Sequence, residues 1–209
     1  MSRLKRLADR IGFLFSSTEA RRRLWPPAPR LTEQHLRNCR VLPDRLRMLD
    51  EIPKQGVCAE LGIFKCDFSE QILQKLKPSV LHLIDIDPES IRIAEERFSE
   101  EIADGRVVIH HQDSSTALLS LPEDTFDWIY IDGDHSYRGV QKDLQAAHRK
   151  LKPDGLISLN DYLFFGSSDL YKYGVIEAVN EFCLEYRYEI LYLALHGRMY
   201  NDVTLRRIS

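Results

Sequence analysis

The sequence predicts an α/β fold, a doubly wound, mostly parallel seven-stranded sheet with helices on both faces and an antiparallel last strand. Three observations carry this. From residue 57 onward, short apolar runs alternate with stretches whose apolar residues recur at helical spacing. Five of those runs stop at a glycine or a polar residue, which is where a doubly wound sheet places its ligand site. The last two runs, Tyr188 to Leu195 and Asp202 to Ile208, are joined by a short turn near Gly197 and Arg198. That turn has no room for a crossover helix, so the two strands must run antiparallel.

The elements follow in order. Leu4, Leu7, Ile11 and Leu14 form a narrow apolar stripe among Arg3, Lys5, Arg6 and Arg10, and Arg21, Arg22 and Arg23 end this basic amphipathic arm. Trp25, Pro26, Pro27, Ala28 and Pro29 exclude helix and read as a stiff linker. Thr32 before Glu33 opens a lead-in helix carrying Leu36, Val41, Leu46 and Leu49, with a break possible at Pro43. The arm and lead-in helix make up residues 1–56; the main domain is 57–209.

The main domain opens with the run Val57 to Leu61, ending at Gly62, and a helix bearing Phe68, Ile72, Leu73 and Leu76. Val80 to Ile84 ends at Asp85. Pro88 suits a helix's first turn, and Ile91, Ile93, Ala94 and Phe98 continue it. Val107 to His111 is the third run. Phe126 to Ile131 is the fourth and ends at Asp132. A helix then carries Val140, Leu144, Ala147 and Leu151, and Leu156 to Leu159 ends at Asn160 and Asp161. Val175, Val179 and Phe182 mark the last helix.

Composition narrows the function classes. Of 209 residues, 44% are hydrophobic and 29% charged, the balance of a globular chain rather than a disordered one. No apolar run reaches the ~18 residues of a membrane span, and no apolar core follows the first basic residues as in a signal peptide. The four cysteines, Cys39, Cys58, Cys66 and Cys183, lack close paired spacing. They read as free thiols in a reducing, cytoplasmic compartment. The net charge of −3 divides into +7 over residues 1–50 and −10 over residues 51–209. The acidic part is a poor match for phosphates, which argues against nucleic acid as partner. The basic part can dock on the domain or a second copy of the chain, or touch an anionic membrane surface.

Glu60-Leu61-Gly62 closes the first strand of the domain. Glycine permits close approach of a ligand, and an acid before it suits an ammonium better than a pyrophosphate. The chain has no G-x-G-x-x-G fingerprint. Asp85, 25 residues after Glu60, is placed to accept from both hydroxyls of a ribose. Asp113 and Ser114 can reach an adenine edge, or cap a helix. Asp132, Asn160 and Asp161 offer an all-oxygen set of the kind magnesium accepts; otherwise Asp132 serves the cofactor alone and Asn160 caps a turn. His135, three residues after Asp132, has the chemistry of a general base, against a purely structural role.

Four stretches resemble the class I S-adenosylmethionine-dependent methyltransferases: Ala59-Glu60-Leu61-Gly62-Ile63-Phe64-Lys65, Leu83-Ile84-Asp85-Ile86-Asp87, Ile131-Asp132-Gly133-Asp134-His135-Ser136-Tyr137, and Leu151-Lys152-Pro153-Asp154-Gly155 with Asn160-Asp161-Tyr162. The likeness is to the small-molecule O-methyltransferase branch, with macrolide-sugar O-methyltransferases and cephalosporin hydroxylase-like proteins. The resemblance implies a Rossmann-like methyltransferase fold and S-adenosylmethionine as cofactor. Glu60 and Gly62 then hold its methionine end, Asp85 its ribose, Asp113 and Ser114 its adenine side, with Asp132 also at the cofactor. It implies magnesium on Asp132, Asn160 and Asp161, with the neighbouring strand ends meeting there, and His135 as general base. The acceptor would be a small molecule, with Phe164, Phe165, Tyr171 and Tyr173 as candidate contacts, and oligomers would form through the amino-terminal segment. A non-catalytic nucleoside-binding module and a hydroxylase-like relative are the alternatives on the same fold. One departure stands out: the family usually has glycine where Cys66 stands, and a side chain there would narrow the cofactor's approach.

Overall fold

The computed structural model describes Ser17, residues 27–166 and residues 171–208. The basic arm of residues 1–24, Ser17 apart, lies outside the described residues. Eight strands form one sheet: β1 (Arg40–Leu42), β2 (Val57–Leu61), β3 (Val80–Asp85), β4 (Val107–His111), β5 (Phe126–Ile131), β6 (Leu151–Leu159), β9 (Tyr188–Ala194) and β10 (Asp202–Arg207). A separate two-stranded ribbon pairs β7 (Phe165–Gly166) with β8 (Tyr171–Lys172). The order across the large sheet is β1-β9-β10-β6-β5-β2-β3-β4. All its pairings are parallel except those of β10, which runs antiparallel to both β6 and β9. The antiparallel ending and the seven expected strands are therefore present.

The eighth strand corrects the lead-in helix. Residues 33–51 hold a short helix α1 (Glu33–Leu36), then β1, then helix α2 (Arg45–Glu51). Pro43 has no N–H to donate and interrupts helix growth. The three residues before it pair instead with the open edge of β9, Val41 opposite Leu193. Asp44 restarts the helix by accepting from the Arg47 N–H at 2.8 Å.

Helices cover both faces. α6 (Ser114–Ser120), α7 (Tyr137–Lys150) and α8 (Val175–Tyr186) pack Leu118, Val140, Leu144, Val179 and Phe182 against Ile129 and Ile131 of β5. On the opposite face α2, α3 (Asp67–Leu76) and α4 (Pro88–Arg97) pack Met48, Leu49, Ile72, Leu76 and Ala94 against Trp128 of β5 and Leu81 and Leu83 of β3. The alternation along β5 thus feeds two cores, as a strand buried on both faces requires. A further short helix, α5 (Ser99–Ala103), leads into β4. The four cysteines are unbridged. No helix among the described residues is long and apolar enough to cross a membrane.

Cys66 sits immediately before α3 with φ 63°, in the left-handed region. Glycine enters that region freely, whereas an L side chain pays about 1–2 kcal/mol. The Cys66 side chain is fully buried in the core beneath α3 and lines no cleft. A glycine at this position would meet the backbone requirement freely, and the buried thiol faces the core.

A buried polar chain ties three strands together in the second core. Trp128 Nε1 donates to Ser158 Oγ at 2.8 Å, and Ser158 Oγ lies 2.8 Å from Thr204 Oγ1. All three residues are fully buried. Ser158→Ala strands both neighbours and is expected to cost about 1–3 kcal/mol in urea unfolding. Thr204→Val leaves the Trp128 bond intact and is expected to cost less. Equal costs for the two variants would mean that the indole gains nothing from Ser158.

Candidate active site

The strand order reverses between β2 and β5: the chain proceeds outward from β2 to β3 and β4, then returns to β5 on the other side. At that point Gly62, with φ +85°, lies against the backbone following β5. A Cβ added to it would stand 2.3 Å from the Asp132 carbonyl oxygen. Two backbone bonds hold the approach: the Asp132 N–H donates to Leu61 at 2.7 Å, and the Gly62 N–H donates to Ile84 at 2.9 Å. Only glycine satisfies both the dihedral and the spacing.

Past this turn opens a cleft of about 610 Å³, lined by Gly62, Phe64, Asp85, Ile86, Asp113, Ser114, Asp132 and Asp134 among others. Four of the residues expected at the cofactor, Asp85, Asp113, Ser114 and Asp132, therefore share one cavity with Gly62. Asp85 also shapes the loop. Its Oδ2 accepts from the Ile63 N–H at 2.9 Å and its Oδ1 from the Asp87 N–H at 2.9 Å. Oδ2 also accepts from the Phe64 N–H at 3.4 Å, which leaves Oδ1 as the freer acceptor for a hydroxyl donor. Asp113 caps α6, accepting from the Thr116 N–H at 3.0 Å, and Ser114 Oγ donates to Asp143 at 2.5 Å. Burial pushes the Asp143 carboxyl up to about 6, against that hydrogen bond.

A second cavity of about 360 Å³ adjoins the first through Gly62, Phe64 and Asp132, and holds Glu60 and Arg45. Glu60 is buried and accepts from Ser69 Oγ at 2.5 Å. Neighbouring strands extend this polar layer. The Tyr130 hydroxyl, fully buried, accepts from Asn160 Nδ2 at 3.2 Å and from Arg45 at 3.4 Å, and lies 3.4 Å from Asp202 Oδ2. Asp202 Oδ1 is buried without a hydrogen-bond partner, and burial pushes that carboxyl up to about 8. Arg45, Asn160 and Asp202 also line a third cavity of about 240 Å³ with Leu195, His196 and Tyr200.

The ends of β5 and β6 meet at His135. Its Nε2 lies 3.4 Å from Asp132 Oδ1 and 3.2 Å from Asp161 Oδ2, and is buried with no well-aligned hydrogen-bond partner. Burial by itself lowers the imidazole pKa, but close contact with Asp132 and the charges of Asp161 and Asp134 raise it above its ordinary value. Tyr173 stacks on the ring with centroids 4.9 Å apart, and the Gly174 N–H donates to the His135 carbonyl at 2.9 Å. The rest of the Asp-Gly-Asp-His-Ser-Tyr run builds the turn: Asp134 accepts from the Ser136 N–H at 2.9 Å, and Ser136 caps α7.

Among the described residues no group of three or more His, Cys, Asp or Glu side chains is arranged to hold a metal ion. The Asp132 and Asp161 carboxylates nonetheless converge on one orphaned nitrogen, and two carboxylates suffice to anchor magnesium when water and substrate oxygens complete its six ligands. The donor set fits such an ion in its chemistry. The Asn160 amide nitrogen is turned toward Tyr130. Of the candidate aromatics, Tyr173 packs on His135, and Phe164 lies under Lys172 with the ammonium 5.5 Å from its ring centre.

Sequence reading did not single out Arg45, Tyr130, Asp143 or Asp202. Arg45 carried one signal, the Pro43-Asp44 helix start just before it. Tyr130 is hidden inside an apolar run, and Asp202 reaches the site only through the antiparallel return of β10.

Burial pushes the Glu60 carboxyl up from 4.5 to about 8, with the Ser69 bond opposing and Asp132 assisting the shift. A carboxyl whose folded pKa is raised contributes stability that is present below the unfolded value and lost as pH rises through the folded one. Glu60→Gln removes this titration. The variant is therefore expected to gain stability relative to the parent as pH rises from about 4.5 to about 8, measured by urea midpoints across that range. Parallel curves would mean that Glu60 is ionised and compensated.

Comparison with known proteins places this geometry. Residues 60–162 match a family described as a methyltransferase domain. Among curated proteins none matches. Solved structures share the fold at low identity. The pyocyanin biosynthetic protein PhzM aligns at 15% identity and TM-score 0.57 over 77% of this chain and 54% of that one, so the chain spans about half its length. A rRNA methylase, described as putative, from Clostridium thermocellum aligns at 10% identity and TM-score 0.63, over 79% and 94%. A SAM-dependent methyltransferase from Aquifex aeolicus aligns at 15% identity and TM-score 0.61, over 80% and 91%. The Glu60–Gly62 turn, Asp85, the Asp132–His135 run and Asn160-Asp161 all fall inside the residues that match the methyltransferase-domain family, a little under half of the chain.

Proposed function

We propose that the chain transfers the methyl group of S-adenosylmethionine to a hydroxyl of a small molecule. The observation that carries this reading is His135: a buried imidazole nitrogen held within 3.4 Å of two carboxylates at the edge of the nucleoside cleft. A methyl acceptor that is a hydroxyl must lose its proton as the new bond forms, and a fixed imidazole at that edge can take it. The charge of −10 over residues 51–209 favours a small acceptor over a nucleic acid.

In this reading the cofactor lies with its ribose at Asp85 and its sulfonium toward Asp132. The acceptor oxygen attacks the methyl carbon in line with the departing sulfur. The O–C bond forms as the C–S bond breaks, the sulfonium becomes a neutral thioether, and the hydroxyl proton passes to His135 Nε2. Tyr173 and the Gly174 N–H keep the imidazole aimed, so orientation supplies part of the rate. Magnesium, if bound by Asp132 and Asp161 with Asn160 near, would lower the pKa of the acceptor hydroxyl. The third cavity beyond Arg45 and Asn160 is the space for the acceptor's remaining atoms.

The test uses labelled S-adenosylmethionine and a panel of hydroxylated small molecules, with and without chelator, on the parent and His135→Ala. The variant is expected to keep its affinity for S-adenosylhomocysteine and lose turnover by about 10²–10⁴-fold. Full turnover in the variant would reduce His135 to a packing residue. Tight nucleoside binding with no transfer to any acceptor would favour a binding module instead.

A further inference from the structure

Arg45 is a half-buried guanidinium without an acidic partner within ion-pair distance among the described residues. Its one hydrogen bond goes to the Tyr130 hydroxyl at 3.4 Å, and its carbon Cζ lies 4.6 Å from the centre of the Phe68 ring. Among the described residues no carboxylate stands within ion-pair distance of it, although Asp132 and Asp202 are near enough to act on it through space. A guanidinium has five N–H donors in a planar fork. Most of them are uncommitted here, with the one hydrogen bond going to Tyr130.

Its position names the partner. Arg45 and Glu60 line the same cavity, which opens through Gly62 and Asp132 into the cleft that holds Asp85. A nucleoside seated with its ribose at Asp85 sends its amino-acid tail into this cavity. That tail carries an ammonium and a carboxylate. The acids Glu60 and Asp132 suit the ammonium and repel the carboxylate, which needs a cation. The cavity has two, Arg45 and Lys65. Lys65 is exposed, with its ammonium 5.5 Å from the Phe64 ring centre, and is well solvated. Arg45 is backed by Phe68 and already desolvated, so an ion pair formed there is the stronger one.

We infer that Arg45, contributed by α2 from outside the matched methyltransferase region, binds the carboxylate of the cofactor's amino-acid tail, opposite Glu60. This rests on the reading of the cleft as the S-adenosylmethionine site. The segment before β2 then has a role in cofactor recognition: α2 is held by the Asp44 cap and by Met48 and Leu49 in the core, and delivers a charge that the β2 turn lacks. Cofactor fragments without the carboxylate would be discriminated against by this one residue.

Calorimetry on the full chain tests it with two ligands that differ only in the carboxylate: S-adenosylhomocysteine and its decarboxylated analogue, S-adenosyl-3-thiopropylamine. For the parent, removing the carboxylate is expected to weaken binding about 10- to 100-fold, the range of hydrogen bonds to a charged group. Arg45→Met should bind the two ligands equally, Arg45→Lys should restore part of the difference, and Lys65→Met should leave it unchanged. The ligand pair keeps the test valid even where Arg45→Met folds poorly, since the parent alone reports whether the carboxylate is read. A parent that binds both ligands equally, or an Arg45→Met variant that still prefers the carboxylate, overturns the inference while leaving the nucleoside site in place. Failure of the parent to bind either ligand overturns the reading of the cleft and the inference together.

Discussion

The close approach of the Gly62 turn to the backbone after β5 governs the whole carboxyl edge of the sheet. With a Cβ distance of only 2.3 Å available at Asp132, the two loops are in van der Waals contact. The residues that follow β5, Asp132, Gly133 and Asp134, line the cleft and lead into His135. Asp85 then fixes the turn from the far side by accepting the Ile63 N–H, so the ends of β2, β3 and β5 form one unit. A ligand meeting that unit finds it already ordered and pays little reorganisation on binding.

Beneath the edge lies a layer of buried polar groups whose desolvation is costly. Glu60, Tyr130 and Asp202 come from β2, β5 and β10, Asn160 follows β6, and all four are buried. Glu60 and Asp202 both have carboxyls pushed up to about 8 by burial, and Asp202 keeps one oxygen without a partner. A core built for stability alone would place apolar groups there, as it does lower in the sheet with Leu81, Trp128 and Leu156. The polar layer coincides with the ends of the strands, where the two smaller cavities open. Phe64 and Asp161, shortly after β2 and β6, have φ of 45° and 61°, in the left-handed region.

Much of the fold was legible because the strands of a doubly wound sheet are buried on both faces and read as plain apolar runs. Val57 to Leu61 and Phe126 to Ile131 match β2 and β5 residue for residue. β1 was not legible, since only Leu42 of its three residues is buried and its partner β9 lies about 150 residues away. α6 was hidden by its shortness, although its cap Asp113 was read as one of two possibilities. Asp132, His135 and Asp161 could be named from sequence because each closes or follows an apolar run. Arg45 and Asp202 could not: their place in the site depends on α2 folding over the β2 turn and on β10 returning beside β6. The thiol at Cys66 was legible as an exception, but its burial beneath α3 was not.

A crystal structure of the full chain with S-adenosylhomocysteine bound tests the reading most directly. It is expected to show the ribose hydroxyls on Asp85, the amino-acid tail beside Glu60, and the sulfur facing the space in front of His135 Nε2. A nucleoside seated elsewhere on the molecule, or one whose sulfur points away from His135, would separate the cleft from the chemistry assigned to it.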